Sequence, residues 1–137
     1  MEYKILKLNK EMKQFEEVKV KGSVVTYEEL KDTVGGWIEH VTFNRKLHEA
    51  GIDMWIDEEG KLKNLNPSII IADDNHIIET LCGDIVFTRR INHDDNSYCL
   101  LESQIELIKD ILKNECLIMY KSYNETKTDT CRVLEYK

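Results

Sequence analysis

Arginine beside an aromatic ring is the arrangement in this chain with the clearest chemical meaning. Phe87-Thr88-Arg89-Arg90-Ile91-Asn92 joins one ring, two guanidinium groups and an amide. A guanidinium binds phosphate or carboxylate through paired hydrogen bonds and stacks on flat rings, so the segment predicts a place for an anionic, nucleotide-like ligand. The opposing reading pairs Arg89 and Arg90 with the chain's own carboxylates, since surface ion pairs are common.

A second segment is Val34-Gly35-Gly36-Trp37-Ile38-Glu39. Two glycines permit a sharp reversal and a close approach of backbone to another surface. Trp37 then serves either as a core residue or as a stacking platform. On a strand Glu39 shares the face of Trp37, and a carboxylate has no place in a dry core, so Glu39 marks a solvent edge or a pocket wall. The candidate ligand-binding residues are thus Gly35, Gly36, Trp37, Glu39, Phe87, Arg89, Arg90 and Asn92.

Nothing local assembles a catalyst. The carboxylate groups Asp57/Glu58/Glu59, Asp73/Asp74 and Asp94/Asp95 sit in predicted turns, where Asp bonds the nearby backbone. A catalytic carboxylate needs partial burial and a partner that shifts its pKa. His40, His48, His76 and His93 lack the spacing of a metal site, and His40 faces away from Glu39 if both lie on one strand. There is no Gly-x-Ser-x-Gly elbow and no glycine-rich phosphate loop. A Ser-His-Asp or Cys-His arrangement meets only in space, so the sequence leaves it open. Cys82, Cys99, Cys116 and Cys131 form no Cys-x-x-Cys pair. Cys116 and Cys131 fall in apolar, strand-like segments where a thiol acts as a small hydrophobe. The expectation is a binding protein, not an enzyme, with no metal and no cofactor.

Composition narrows the partners. The 137 residues suit one domain, residues 1–137, with 42% apolar and 33% charged residues. A formal net charge of -7 argues against direct nucleic-acid binding, because phosphate backbones require a basic surface. It allows one small phosphate-bearing ligand, or an acidic surface that imitates nucleic acid. Apolar runs such as Ile69-Ile70-Ile71-Ala72 fall far short of the ~20 residues that span a bilayer. Met1-Glu2-Tyr3-Lys4-Ile5 does not resemble a secretory signal, so the expected location is the cytoplasm, where disulfides are not expected.

The elements that must position these residues read as an α+β fold, mostly antiparallel sheet. Strands are predicted from Tyr3 to Leu8, Phe15 to Val20, Trp37 to Phe43, Ile52 to Ile56 and Gly83 to Thr88. Asn9-Lys10-Glu11-Met12 is a turn between the first two, and His93 to Asn96 a polar loop. Thr26-Tyr27-Glu28-Glu29 is a capping box opening a short helix that Gly35 and Gly36 stop. Asp57-Glu58-Glu59-Gly60-Lys61 predicts a hairpin turn with Gly60 at positive φ and Leu62 starting the return. Asn66-Pro67 opens a short helix near 67–72 in preference to a strand. Ser103-Gln104-Ile105-Glu106 is a second capping box, and Ile105, Ile108, Ile111 and Leu112 form the stripe of a longer amphipathic helix at about 103–113. Cys116 to Tyr123 and Cys131 to Tyr136 close the chain as a hairpin across the loop Asn124 to Thr130. The first of these strands is apolar on both faces at its start, a surface for a second copy and hence a homo-oligomer.

Val34-Gly35-Gly36-Trp37-Ile38-Glu39, Ile56-Asp57-Glu58-Glu59-Gly60-Lys61-Leu62, Asn64-Leu65-Asn66-Pro67 and Gly83-Asp84-Ile85-Val86 occur in that order. Together they resemble a small family of unknown function from bacteriophages, plasmids and Firmicute mobile elements. The resemblance covers residues 3 to 90 and leaves residues 98–137 as a helix-plus-hairpin extension. It transfers no catalytic residue. It implies a counter-defence protein, similar in role to the Thoeris anti-defence sponges, that sequesters a small nucleotide-derived immune signal. The alternative is an acidic inhibitor, a nucleic-acid mimic or plug, that blocks a host defence protein such as a nuclease.

Overall fold

Alternating apolar residues in β1 (Tyr3–Asn9) send Leu6 and Leu8 to one face of a sheet and Ile5 to the other. The computed structural model describes residues 2–9, 14–41, 44–65, 67–73, 76–114, 117–121 and 128–135. β1 pairs with β2 (Gln14–Val20) and β8 (Ile85–Arg90), β8 with β5 (Ile52–Asp57), and β5 with β4 (Ile38–Val41). All these pairings are antiparallel, giving the order β2-β1-β8-β5-β4. Two short strands, β3 (Val24–Val25) and β9 (Ser97–Tyr98), extend the sheet beside Arg89 and Arg90.

One face of this sheet carries α1 (Tyr27–Val34). Its capping box forms as predicted: Glu29 N–H donates to the Thr26 hydroxyl, and the Glu29 carboxylate accepts from Thr26 N–H at 3.1 Å. Leu30 and Val34 pack on Ile5, Val25 and Val86. Gly35 ends the helix at φ 90°, a left-handed conformation that costs glycine little.

The other face meets a second sheet of β6 (Pro67–Asp73), β7 (His76–Cys82), β10 (Leu117–Lys121) and β11 (Thr128–Glu135), in the order β10-β11-β6-β7. β11 runs parallel to β6, and the other pairs are antiparallel. The main core gathers Leu6, Met54, Ile85 and Phe87 from the first sheet and Ile69, Ile71, Leu81 and Leu134 from the second. Ile105, Ile108, Ile111 and Leu112 of α3 (Glu102–Asn114) and Leu47 of α2 (Arg45–Glu49) complete it. Because one core includes residues from both parts, the region after Tyr98 is built into the domain.

Several expectations are corrected. Residues 67–72 form the strand β6, not a helix. Ile69, Ile70 and Ile71 are β-branched and all buried, as in a strand flanked on both sides and covered on both faces. Pro67 occupies the first position, where its missing N–H is tolerated. The Asp57–Lys61 segment does not close a hairpin: turns over residues 58–64 carry the chain from the first sheet to the second, and Leu62 is 84% exposed. Gly60 does not take a positive φ, which falls instead on Asn64 at 56°. Gly60 instead lies close to backbone, since a Cβ there would meet the Cys82 carbonyl oxygen at 3.0 Å and the Asp57 carbonyl oxygen at 3.3 Å.

The second capping box also fails. α3 begins at Glu102, which puts Ser103 inside the first turn, and Gln104 accepts from Leu101 N–H at 2.9 Å. The short α2, capped by Asn44 through Leu47 N–H at 3.0 Å, and strands β3, β7 and β9 are unforeseen. Thr128 to Thr130 belong to β11, not to a loop. Lys10-Glu11-Met12, Thr42-Phe43, Asn66, Asp74, Cys116, Tyr123, most of the loop from Asn124 and Tyr136 lie outside the described residues, as does the side chain of Cys131. The described cysteines Cys82 and Cys99 are buried. No described helix is long and apolar enough to cross a membrane.

Gly36 sets a sharp test of this architecture. A Cβ there would lie 2.5 Å from the Asp57 carboxylate, which is itself held by Glu59 N–H and Lys63 Nζ, each at 2.8 Å. Gly36→Ala should therefore lower unfolding free energy by about 1–3 kcal/mol, and Gly35→Ala by about 1–2 kcal/mol through left-handed strain. Urea titration of both variants measures the losses.

Candidate functional site

β5 separates the two predicted halves of the ligand site. Trp37 accepts from Glu58 N–H beyond one end of β5, and Arg90 N–H donates to Gly51 beyond the other, each at 2.8 Å. At ~3.3 Å per strand residue the two lie roughly 20 Å apart along β5. The structure does not bring Gly35, Gly36 and Trp37 together with Phe87, Arg89, Arg90 and Asn92.

Each half has its own local role. Phe87 is fully buried in the main core. Arg89 Nε donates to the Cys99 carbonyl at 2.8 Å, with its guanidinium 5.4 Å from the centre of the Tyr98 ring. Arg90 holds Asp53 through one terminal nitrogen at 2.7 Å and the His48 carbonyl through the other at 2.6 Å. Asn92 is exposed in a turn. Gly35 caps α1, Gly36 admits the Asp57 carboxylate, and Trp37, 53% exposed, lies under Lys31 Nζ at 4.1 Å. Both arginines thus have partners within the chain; Arg90 pairs with a carboxylate, as the opposing reading expects, whereas Arg89 takes a backbone carbonyl.

Around Arg90 a polar cluster forms that sequence reasoning missed. Asp53, Trp55 and His40 share the sheet face bearing α1. Asp53 accepts from Arg90 and contacts His40 Nε2 at 3.0 Å, while the His40 and Trp55 rings sit 5.0 Å apart. Trp55 Nε1 donates to the buried Thr88 hydroxyl at 2.8 Å. Burial of Asp53 opposes its charge, yet hydrogen bonds from His40 and Arg90 outweigh that penalty and hold its carboxyl below the usual aspartate range. The alternation of charged and apolar residues in Ile52-Asp53-Met54-Trp55 was the available signal, since it puts Asp53 and Trp55 on one face. Among the described residues no group of three or more His, Cys, Asp or Glu could hold a metal ion.

Glu39 belongs to a different place. It faces a cleft of about 150 Å³ between the turn after β5 and strand β7. Val41, Ile56 and Leu81 supply apolar lining, and Glu39, Asp57, Glu58 and Glu79 supply carboxylates. Lys61 also lines it and pairs with Glu79, whose carboxyl the Lys61 hydrogen bond pulls down, while Lys63 pairs with Asp57 at 2.8 Å. The cleft is smaller than the ~300–1,000 Å³ of sites that enclose a small molecule, and suits a side chain better than a nucleotide.

The Asp53 cluster predicts a pH response. A carboxyl lowered in the native state stabilises the fold above its unfolded pKa of about 3.9, and that contribution is lost as pH falls through the native value. Wild-type stability should therefore drop in acid more steeply than that of Asp53→Asn. At neutral pH Asp53→Asn should cost about 1–3 kcal/mol by replacing the charged acceptor of Arg90 and His40 with a neutral amide. Urea unfolding across pH 3–7 would show both effects.

Residues 3–113, from β1 through α3, match the family described as a domain of unknown function, DUF3846. The match passes Arg90 and takes in α3, which the motif order alone did not reach. No curated protein and no solved structure matches the chain. With 111 of its 137 residues matched (residues 3 to 113 inclusive), the chain belongs to the DUF3846 family.

Proposed function

We propose that the protein acts without catalysis, by holding a basic segment of a partner protein against the acidic cleft beside β7. The observation that carries this reading is the division of charge. The arginine heads of β8 are engaged inside the chain, whereas Glu39 and Glu58 stand exposed at a cleft with apolar lining. The net charge of -7 favours approach of a cationic partner over the whole surface. In the mobile-element setting that the motif order resembles, a suitable partner is a host defence protein whose nucleic-acid surface is basic. Capture of a small nucleotide-derived signal by Arg89 and Arg90 has less support, because Arg90 already holds Asp53 and the His48 carbonyl and Arg89 the Cys99 carbonyl.

Capture from bacterial extract by the wild type and by Glu39→Lys/Glu58→Lys tests the assignment. The wild type should retain a basic protein, release it between about 0.1 and 0.5 M salt, and lose it on charge reversal. A thermal shift with cyclic nucleotides that Arg89→Ala/Arg90→Ala removes would move the assignment to signal capture.

A further inference from the structure

Strand β7 ends the second sheet, and its backbone shows how that edge is finished. Glu79, Thr80 and Leu81 pair in register with Ile71, Ile70 and Ile69 of β6. Thr80 N–H donates to the carboxylate of its own neighbour Glu79 at 3.0 Å. Antiparallel pairing alternates inward and outward backbone groups, and an amide reached by a carboxylate of its own strand reads as an outward amide of the edge. The Glu79 oxygen stands in for the carbonyl of an absent neighbouring strand. Lys61 binds the same oxygen from the cleft.

We propose that the basic segment binds by strand addition: an extended peptide of alternating basic and apolar residues pairs with β7 and takes the place of Glu79 on Thr80 N–H. This rests on the acidic-cleft reading and specifies how the cleft is used. Edge strands accept strands because their backbone groups lack a second partner, and side-chain pockets then supply selectivity. Ile77 and Ile78 are 66% and 44% exposed on the same strand, a surface that matches the apolar residues of such a peptide. The basic residues meet Glu39 and Glu58, while Glu79 keeps Lys61. The β-bulge at Ile78, marked by the register shift opposite Ile71 and Ala72, confines the backbone pairing to residues 79–81 and leaves Ile77 and Ile78 as a flanking apolar contact. A second copy of this chain is a poorer occupant, because two molecules of charge -7 repel.

The test uses a capped peptide of alternating Lys and Val and follows fluorescence anisotropy with the full chain. Controls are the Glu/Val peptide and two Lys/Val peptides carrying backbone N-methyl groups on alternate residues, one in each phase. N-methylation removes ladder hydrogen bonds and keeps the charge. Lys/Val should bind and Glu/Val should not. One N-methyl phase should weaken binding about tenfold or more, as should Thr80→Pro, a change tolerated at an outward edge amide. If Thr80→Pro melts early, the N-methyl pair still decides. If Glu39→Lys/Glu58→Lys abolishes binding while both N-methyl peptides bind like the parent, strand addition is overturned and the acidic cleft stands. Failure of Lys/Val to bind, or equal binding by the charge-reversed variant, removes the cleft reading and strand addition together. A wild-type dimer that Thr80→Pro dissolves in sedimentation would assign the edge to a second copy and overturn the proposal.

Discussion

A strand buried on both faces cannot leave its polar groups unsatisfied, and β8 imposes that constraint on the whole molecule. Ile85 and Phe87 fill the main core, Val86 fills the core under α1, and Thr88 is fully buried beside them. Each polar side chain that follows must therefore find a donor or acceptor in the protein. Thr88 takes the Trp55 indole, Arg89 takes the Cys99 carbonyl, and Arg90 takes Asp53 and the His48 carbonyl. Among the described residues no buried side-chain polar atom lacks a partner. The arginine pair fastens the end of β8 to β5, α2 and β9, and its positive charge is directed into the domain.

Asp57 plays a matching part where the chain leaves the first sheet. Its buried carboxylate accepts from Glu59 N–H, binds Lys63 and lies against Gly36. One side chain thereby joins the end of α1, the end of β5 and the turns that lead to β6. The acidic cleft is a by-product of this crossing. Residues from β4, the crossing turns and β7 converge there because the two sheets share a core and the connection passes along one side. Of the four acidic residues that line it, Glu79 and Asp57 are paired with Lys61 and Lys63, and Glu39 and Glu58 are exposed.

Much of the fold was legible in the residues. β1, β2 and β5 interleave charged with apolar residues, whereas β8 reads as a strand from the β-branched and aromatic run Ile85-Val86-Phe87-Thr88. The Thr26–Glu29 box and Gly35 bounded α1 to the residue, since caps act through local hydrogen bonds. β6 was misread because a strand buried on both faces loses its alternation, and Asn66-Pro67 mimics a helix start. β7 was missed because His76-Ile77-Ile78-Glu79 on an exposed, bulged edge carries no regular period. Gly36 was identified as a point of close approach, but the group that approaches it is a carboxylate of the same chain.

The amino-acid order by itself determined an α+β fold class, a dominant antiparallel sheet, a net charge of -7 and the phase of its clearest strands. Those properties follow from local periodicity, capping chemistry and composition, which need no knowledge of distant residues. Only the tertiary structure decided the partners of Arg89 and Arg90, the His40–Asp53 contact and the meeting of Glu39 with Glu79. Each of those joins residues from separate strands, and strand order and register, set by burial in a common core, determine which charges neutralise one another.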